Sequence, residues 1–176
     1  RKTAKELGFD GSNRWIFPNE DHDGNIERFS RDPEADIPMA YVSFPSAKDP
    51  AFLDRFPGRA TVEVVALTPY AWFGEWQDAR WRRRGEAYEA FKARFAERLM
   101  SFVATTLPNL RDQVDVMEVS SPLSTRHFAA HPRGEMYGLD HGPARYQLPI
   151  RARTSVPGLY LTGQDIAACG VAGAMV

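Results

Sequence analysis

Gly85-Glu-Ala-Tyr-Glu-Ala-Phe-Lys-Ala-Arg-Phe-Ala-Glu-Arg-Leu-Met-Ser-Phe-Val-Ala-Thr-Thr106 carries the period that decides the fold. Tyr88, Phe91, Phe95, Leu99, Phe102 and Val103 recur at helical spacing, with Glu86, Lys92, Arg94 and Glu97 at intervening positions. That spacing places the apolar side chains on one stripe of a helix. The pattern starts near Asp78, and Pro108 ends it, because proline offers no amide to the preceding turn. A long amphipathic helix is therefore predicted. Working outward, the period drops to that of strands. Pro38-Met-Ala-Tyr-Val-Ser-Phe44 and Ala60-Thr-Val-Glu-Val-Val-Ala-Leu67 are rich in β-branched and aromatic residues and bounded by proline and glycine. Both read as strands of one sheet, and Asn13-Arg-Trp-Ile-Phe17, closed by Pro18, as a further short strand. The fold class is α+β, with a mixed, largely antiparallel sheet covered on one face by the long helix.

Other segments are expected as follows. Asn19-Glu-Asp-His-Asp-Gly-Asn25 reads as a solvated hairpin turn. Its alternating Asp21, Asp23 and Asn25 imitate a calcium loop, but Gly24 falls between two candidate ligands and no bidentate glutamate follows at the proper spacing, so no metal is assigned. Val114-Asp-Val-Met-Glu-Val119 alternates as a half-buried strand, and Ser121-Pro122 offers a helix start for a short helix from Leu123 to Ala130. His131 to Ser155 has no clear period and reads as a structured connection.

A chain of 176 residues with 43% hydrophobic residues buries roughly 70% of its unfolded surface, enough for a real core. The formal net charge of -1 gives no basic footprint for nucleic acid. Cys169 is the only cysteine, so no intramolecular disulfide forms and the default compartment is the cytoplasm. No stretch reaches the ~20 apolar residues of a membrane span.

Gly158-Leu-Tyr-Leu-Thr-Gly-Gln-Asp-Ile-Ala-Ala-Cys-Gly-Val-Ala-Gly-Ala174 is the segment with chemical content. It reads as a strand, a sharp turn at Gly163, the carboxylate of Asp165, and a small-residue helix beginning near Gly170. A carboxylate accepts bonds from hydroxyls, and a helix start favours developing negative charge. The run from Ile166 to Val176 has no stop signal, so the natural protein is expected to continue.

Together with Arg133-Gly-Glu-Met-Tyr-Gly-Leu139 and Arg151-Ala-Arg-Thr-Ser-Val-Pro157, this segment resembles the C-terminal signature of the phytoene desaturase-like flavoproteins, retinol saturases and carotenoid isomerases among them. Tyr41-Val-Ser-Phe-Pro-Ser46, the Gly85 to Lys92 helix opening and Ser121-Pro-Leu123 are also similar. The resemblance implies an FAD-dependent oxidoreductase acting on an apolar polyene by desaturation, saturation or isomerisation. It implies FAD contacts at Asp165, Gly170 and Val171, flanked by Gly163 and Gln164. It further implies a C-terminal fragment, with residues 1–155 a substrate-binding region and 156–176 a strand and truncated helix of the FAD-binding domain. The main GxGxxG fingerprint is absent from the chain. The fragment alone is therefore expected to be inactive and not to retain FAD.

Tyr137, in Tyr-Gly-Leu, is the weak catalytic candidate, since a tyrosine beside a flavin could donate a proton; packing at the pocket is the competing role. Trp72, Trp76 and Trp81 with Arg82 combine aromatics and charge as a peripheral membrane surface would, against the alternative of a helix entrance packed on the sheet. His127 and His131 stand four apart, but Pro132 and the expected helix end speak against a metal pair. His22 and His141 are expected to be exposed and Cys169 to be a small packing residue. Two rivals stay open: a non-catalytic apolar-ligand-binding or interaction module, and a flavin amine oxidase-like enzyme. Substrate, redox direction, redox partner and oligomeric state do not follow from the residues.

Overall fold

The computed structural model describes residues 2–148 and 150–175. The chain divides into two compact units, Arg1–Ser121 and Pro122–Val176.

The first unit is built on three short antiparallel strands, β1 (Arg14–Ile16), β2 (Ala40–Ser43) and β3 (Glu63–Val65), in the order β1-β2-β3. All three coincide with predicted runs. Trp15 pairs with Tyr41 and Tyr41 with Val65, so one cross-strand row carries an aromatic pair and a β-branched residue. Because side chains alternate along a strand, Ile16, Ala40 and Val42 fall on the opposite side and are buried. They form one core with Ala4, Phe9, Phe44, Val103, Leu107 and Leu110. Phe44 has no exposure and stacks on Phe9 with ring centroids 4.5 Å apart. The outer row stays open, with Trp15 58% exposed against Tyr41 at 4.9 Å.

Between β1 and β2 runs α1 (His22–Arg31), where the sequence suggested a hairpin turn. Asp21 caps it, accepting from the Gly24 amide at 3.2 Å. A side-chain oxygen that takes up a free helical N–H is the ordinary reason for aspartate at this position. Arg28 reaches back to the same carboxylate at 2.9 Å. The polar run thus starts a helix whose buried apolar contact, Phe29, comes late and is easily overlooked. Between β2 and β3 lie two single-turn helices, α2 (Pro45–Lys48) and α3 (Phe52–Arg55). Ser46 and Thr61 close this excursion at its base: the Ser46 amide donates to Thr61 Oγ1 at 3.1 Å and the Thr61 amide to Ser46 Oγ at 2.9 Å.

The predicted long helix is α4 (Glu86–Ala104), shorter at its start than the period suggested. Residues 78–85 are turns and irregular chain instead, preceded by a 3-10 helix at Tyr70–Trp76. Arg82 has φ 62° and Gly85 has φ 85°, and left-handed backbone at both positions interrupts a right-handed helix. Tyr88, Ala96 and Val103 are its buried contacts. Trp72 packs edge-on against Phe29, and Trp76 packs edge-on against Tyr88 and tilted against Phe91, so both of these tryptophans take part in ring packing. Trp81 remains exposed with Arg82 over its ring at 4.3 Å. Arg98 bonds the carbonyls of Pro33 and Ala35, which fastens the loop after α1 to this helix. The predicted strand at 114–119 pairs with nothing among the described residues, and Val116 is 79% exposed. Alternation alone does not make a strand without the ladder of hydrogen bonds to a neighbour. No described helix is long and apolar enough to cross a membrane.

Two outcomes follow from this packing. Phe44→Ala should destabilise the first unit by about 3–5 kcal/mol in chemical denaturation, the range for deleting a buried phenylalanine, with Tyr88→Phe, which loses the buried 2.7 Å bond to Ser121, costing about 1 kcal/mol. Arg28, and after it the Gly24 amide, hold the Asp21 carboxyl below the usual carboxylate range. A carboxyl lowered on folding stabilises above its unfolded pKa and loses that contribution as pH falls through the folded value. Protection of the Gly24 amide, taken as its exchange rate relative to the unstructured peptide at the same pH, should accordingly fall in acid, and Asp21→Ala should remove it at every pH.

Candidate functional site

The second unit begins with α5 (Pro122–Ala129), at the predicted Ser-Pro start. Ala130, at φ 57°, ends it, and a turn follows in which Gly134 has φ 62°. A Cβ at Gly134 would sit 2.0 Å from the Pro122 carbonyl oxygen, so only glycine fits there. The helix end separates His127 from His131, whose Nδ1 lies 2.5 Å from the Glu135 carbonyl. Among the described residues, no group of three or more His, Cys, Asp or Glu side chains could hold a metal ion.

The predicted strand at Gly158–Gly163 is reduced to a single bridge, Arg153 with Tyr160. The Leu161 amide donates to Ala152 at 2.7 Å and the Thr154 amide to Leu159 at 3.3 Å, around a turn with Gly158 at φ 81°. Leu159, Tyr160 and Leu161 are all exposed. A strand of that apolar composition needs neighbours on both sides, and within this unit it has one rung on one side.

Beyond it the chain turns at Gly163, φ 108°, and again at Gly170, φ 91°, before α6 (Val171–Ala174). The turn and the small-residue helix therefore lie where the sequence put them. Added Cβ atoms at Gly163 and Gly170 would meet nothing within 4 Å, so the backbone there is open to close approach, and Val171 is 78% exposed. Gly173 is the opposite case, since its Cβ would lie 1.6 Å from the Ala168 carbonyl oxygen. Gln164 and Gly170 are tied together: the Gly170 amide donates to Gln164 Oε1 at 3.0 Å. The first amide at this helix start is thus already satisfied by the chain.

Asp165 is likewise engaged. Its Oδ1 accepts from the Leu139 amide at 2.9 Å, and its carboxylate rests against Gly138, where a Cβ would come within 2.2 Å of Oδ2. The Tyr-Gly-Leu motif and the Asp165 loop, 26 residues apart in sequence, are brought together by this contact. Tyr137, at the edge of the strap that residues 138–145 form against this loop, is half exposed. From the other side Arg145, on the 3-10 turn Pro143–Gln147, donates Nη2 to the carbonyls of Asp165 and Ile166. Neither Gly138 nor Arg145 is distinguished by sequence spacing; an arginine in an aperiodic loop gives no signal until its partners are known. Cys169 is exposed rather than packed, and His141 is half-buried, with Nε2 enclosed and lacking a hydrogen bond among the described residues.

Comparison with known proteins finds relatives that align over nearly the whole chain. All-trans-retinol 13,14-reductase of Homo sapiens is 40% identical over 183 residues, covering 99% of this chain and 30% of the relative. The chain is homologous to the all-trans-retinol 13,14-reductases. The Danio rerio all-trans-retinol 13,14-reductase is 36% identical over 98% of the chain, and a Danio rerio protein named an inactive all-trans-retinol 13,14-reductase is 33% identical over 98%. These relatives are the retinol saturase branch of the resemblance seen in the sequence. The chain spans about 30% of their length. No protein-family model and no solved structure matches it.

The strap to Asp165 can be tested directly. Gly138→Ala should push the Asp165 carboxylate aside and break its bond to the Leu139 amide. Hydrogen exchange should then accelerate at Leu139 and along 163–170, with protection at Val42 unchanged; unchanged exchange at Leu139 would show that the contact does not hold the loop.

Proposed function

We propose that the protein carrying this chain is an FAD-dependent oxidoreductase that saturates a carbon-carbon double bond of a retinoid-like polyene. The observation that carries this is the likeness over nearly the whole chain to proteins named as retinol 13,14-reductases. Their name favours saturation over the desaturation and isomerisation that the same machinery would serve. In this proposal residues 1–155 belong to the substrate side and 156–176 to the flavin side. The strap at 138–145 would travel with the flavin segment, to which it is bonded.

Gly163, Gln164, Asp165, Gly170 and Val171 are the residues proposed to meet FAD. Their fit is supported by open backbone at two left-handed glycines, which lets a planar or polyol group approach the main chain. Asp165 would take part with whatever acceptor capacity the Leu139 bond leaves, since a carboxylate has roughly four lone-pair sites. Bound FAD would supply the hydride chemistry; the chain's own part is to orient and to exclude water. The open row of Trp15, Tyr41 and Val65 is a surface suited to the apolar substrate. Tyr137 is given a packing role in this scheme and no proton transfer.

A second reading keeps the fold without the chemistry. It is favoured by the relative named inactive, which aligns over as much of the chain as the relatives not so named. One experiment separates the two. The full-length protein should show a flavin absorption band, and with a reductant and all-trans-retinol it should give a product two hydrogens heavier by mass spectrometry. A flavin band with no mass change would favour the non-catalytic homologue, and a protein that neither carries nor takes up FAD would sink the oxidoreductase assignment.

A further inference from the structure

Arg145 is 7% exposed, and among the described residues no carboxylate pairs with it. Its Nε is enclosed and has no hydrogen bond among the described residues. A guanidinium without a counter-charge is expensive to bury, and a surface arginine elsewhere on the turn would avoid that cost. What Arg145 has instead is a pair of adjacent carbonyls, those of Asp165 and Ile166, both reached by Nη2, the latter at 3.1 Å. The turn that presents it is closed by its own amide on the Gly142 carbonyl at 2.9 Å and by the Leu148 amide on its carbonyl at 3.1 Å. The side chain therefore projects from a fixed backbone onto the segment between the two left-handed glycines, Gly163 and Gly170.

From these contacts we infer that Arg145 is the positioning residue of the cofactor loop. Asp165 is held twice, at its carboxylate by the Leu139 amide and at its carbonyl by Arg145. The first hold fixes where the side chain lies; the second fixes the peptide planes between the open backbone positions Gly163 and Gly170. A planar, always-charged group suits this task, because it binds carbonyl oxygens in a set plane where an ammonium acts as a point charge. This inference rests on the assignment of residues 163–171 to the flavin side.

The test uses the full-length protein as wild type, Arg145→Lys and Arg145→Met, with FAD affinity measured by quenching of flavin fluorescence and the bound flavin followed by its visible spectrum. Arg145→Met should weaken FAD by roughly tenfold or more, the loss expected of a charge-assisted contact, and should shift the flavin band. Arg145→Lys should fall between, and it carries the comparison if the methionine variant does not fold. Melting temperatures that drop while affinity and spectrum match the wild type would overturn the inference and leave Arg145 a fold-stabilising residue. Failure of the wild type itself to bind FAD would instead remove the proposed function, and this inference with it.

Discussion

Ala40, Val42 and Phe44 have no exposure at all, and they sit at every second position of the chain through β2. A slip of one residue would exchange them for Tyr41 and Ser43, so both neighbouring strands must pair in a single register. That constraint places Trp15 opposite Tyr41 and Tyr41 opposite Val65. It also sets the height at which Val103 and Leu107 meet the sheet. The open aromatic row is thus a consequence of what is buried behind it. Its exposure is fixed by the core and does not depend on any preference of the tryptophan.

The second unit has a different basis. It has little regular structure, and its path is set by glycines with positive φ, by Gly173 and Gly138 against neighbouring groups, and by polar ties at Asp165, Gln164 and Arg145. Such a unit has few apolar contacts to resist local opening, and segments of this kind lie at the less stable end of a protein's range. A loop held by a few directional bonds can remake them without repacking a core.

Elements with a strong period and a partner were legible from the residues. β1, β2, β3, the body of α4 and the proline start of α5 all appear where spacing and punctuation put them. Val114–Val119 and Gly158–Gly163 failed for a common reason, since a strand is a property of a pair and the sequence shows only one member. The helix at His22–Arg31 was missed because its polar opening resembles a turn and its capping aspartate is equally at home in both. In the second unit, the turns at Gly163 and Gly170 were legible because left-handed backbone is a local property. Gly138 and Arg145 were not, because each acquires its role from a residue at least 20 positions away. The family resemblance supplied what neither period nor spacing could, and the retinol reductase relatives bear it out.

The hydroxyl latch between Ser46 and Thr61 separates two kinds of chain length. Inside it, Ala47 to Ala60 leaves the sheet and returns to a fixed point, so the strands on either side are indifferent to how far the chain travels in between. The entropy of closing such an excursion grows only with the logarithm of its length, about 0.6 kcal/mol for each doubling. Outside the latch, one added residue between Ala40 and Ser43 would turn the buried face outward. Related proteins are therefore free to grow or shrink across residues 49–58 while the pairing of β2 with β3 stays as it is.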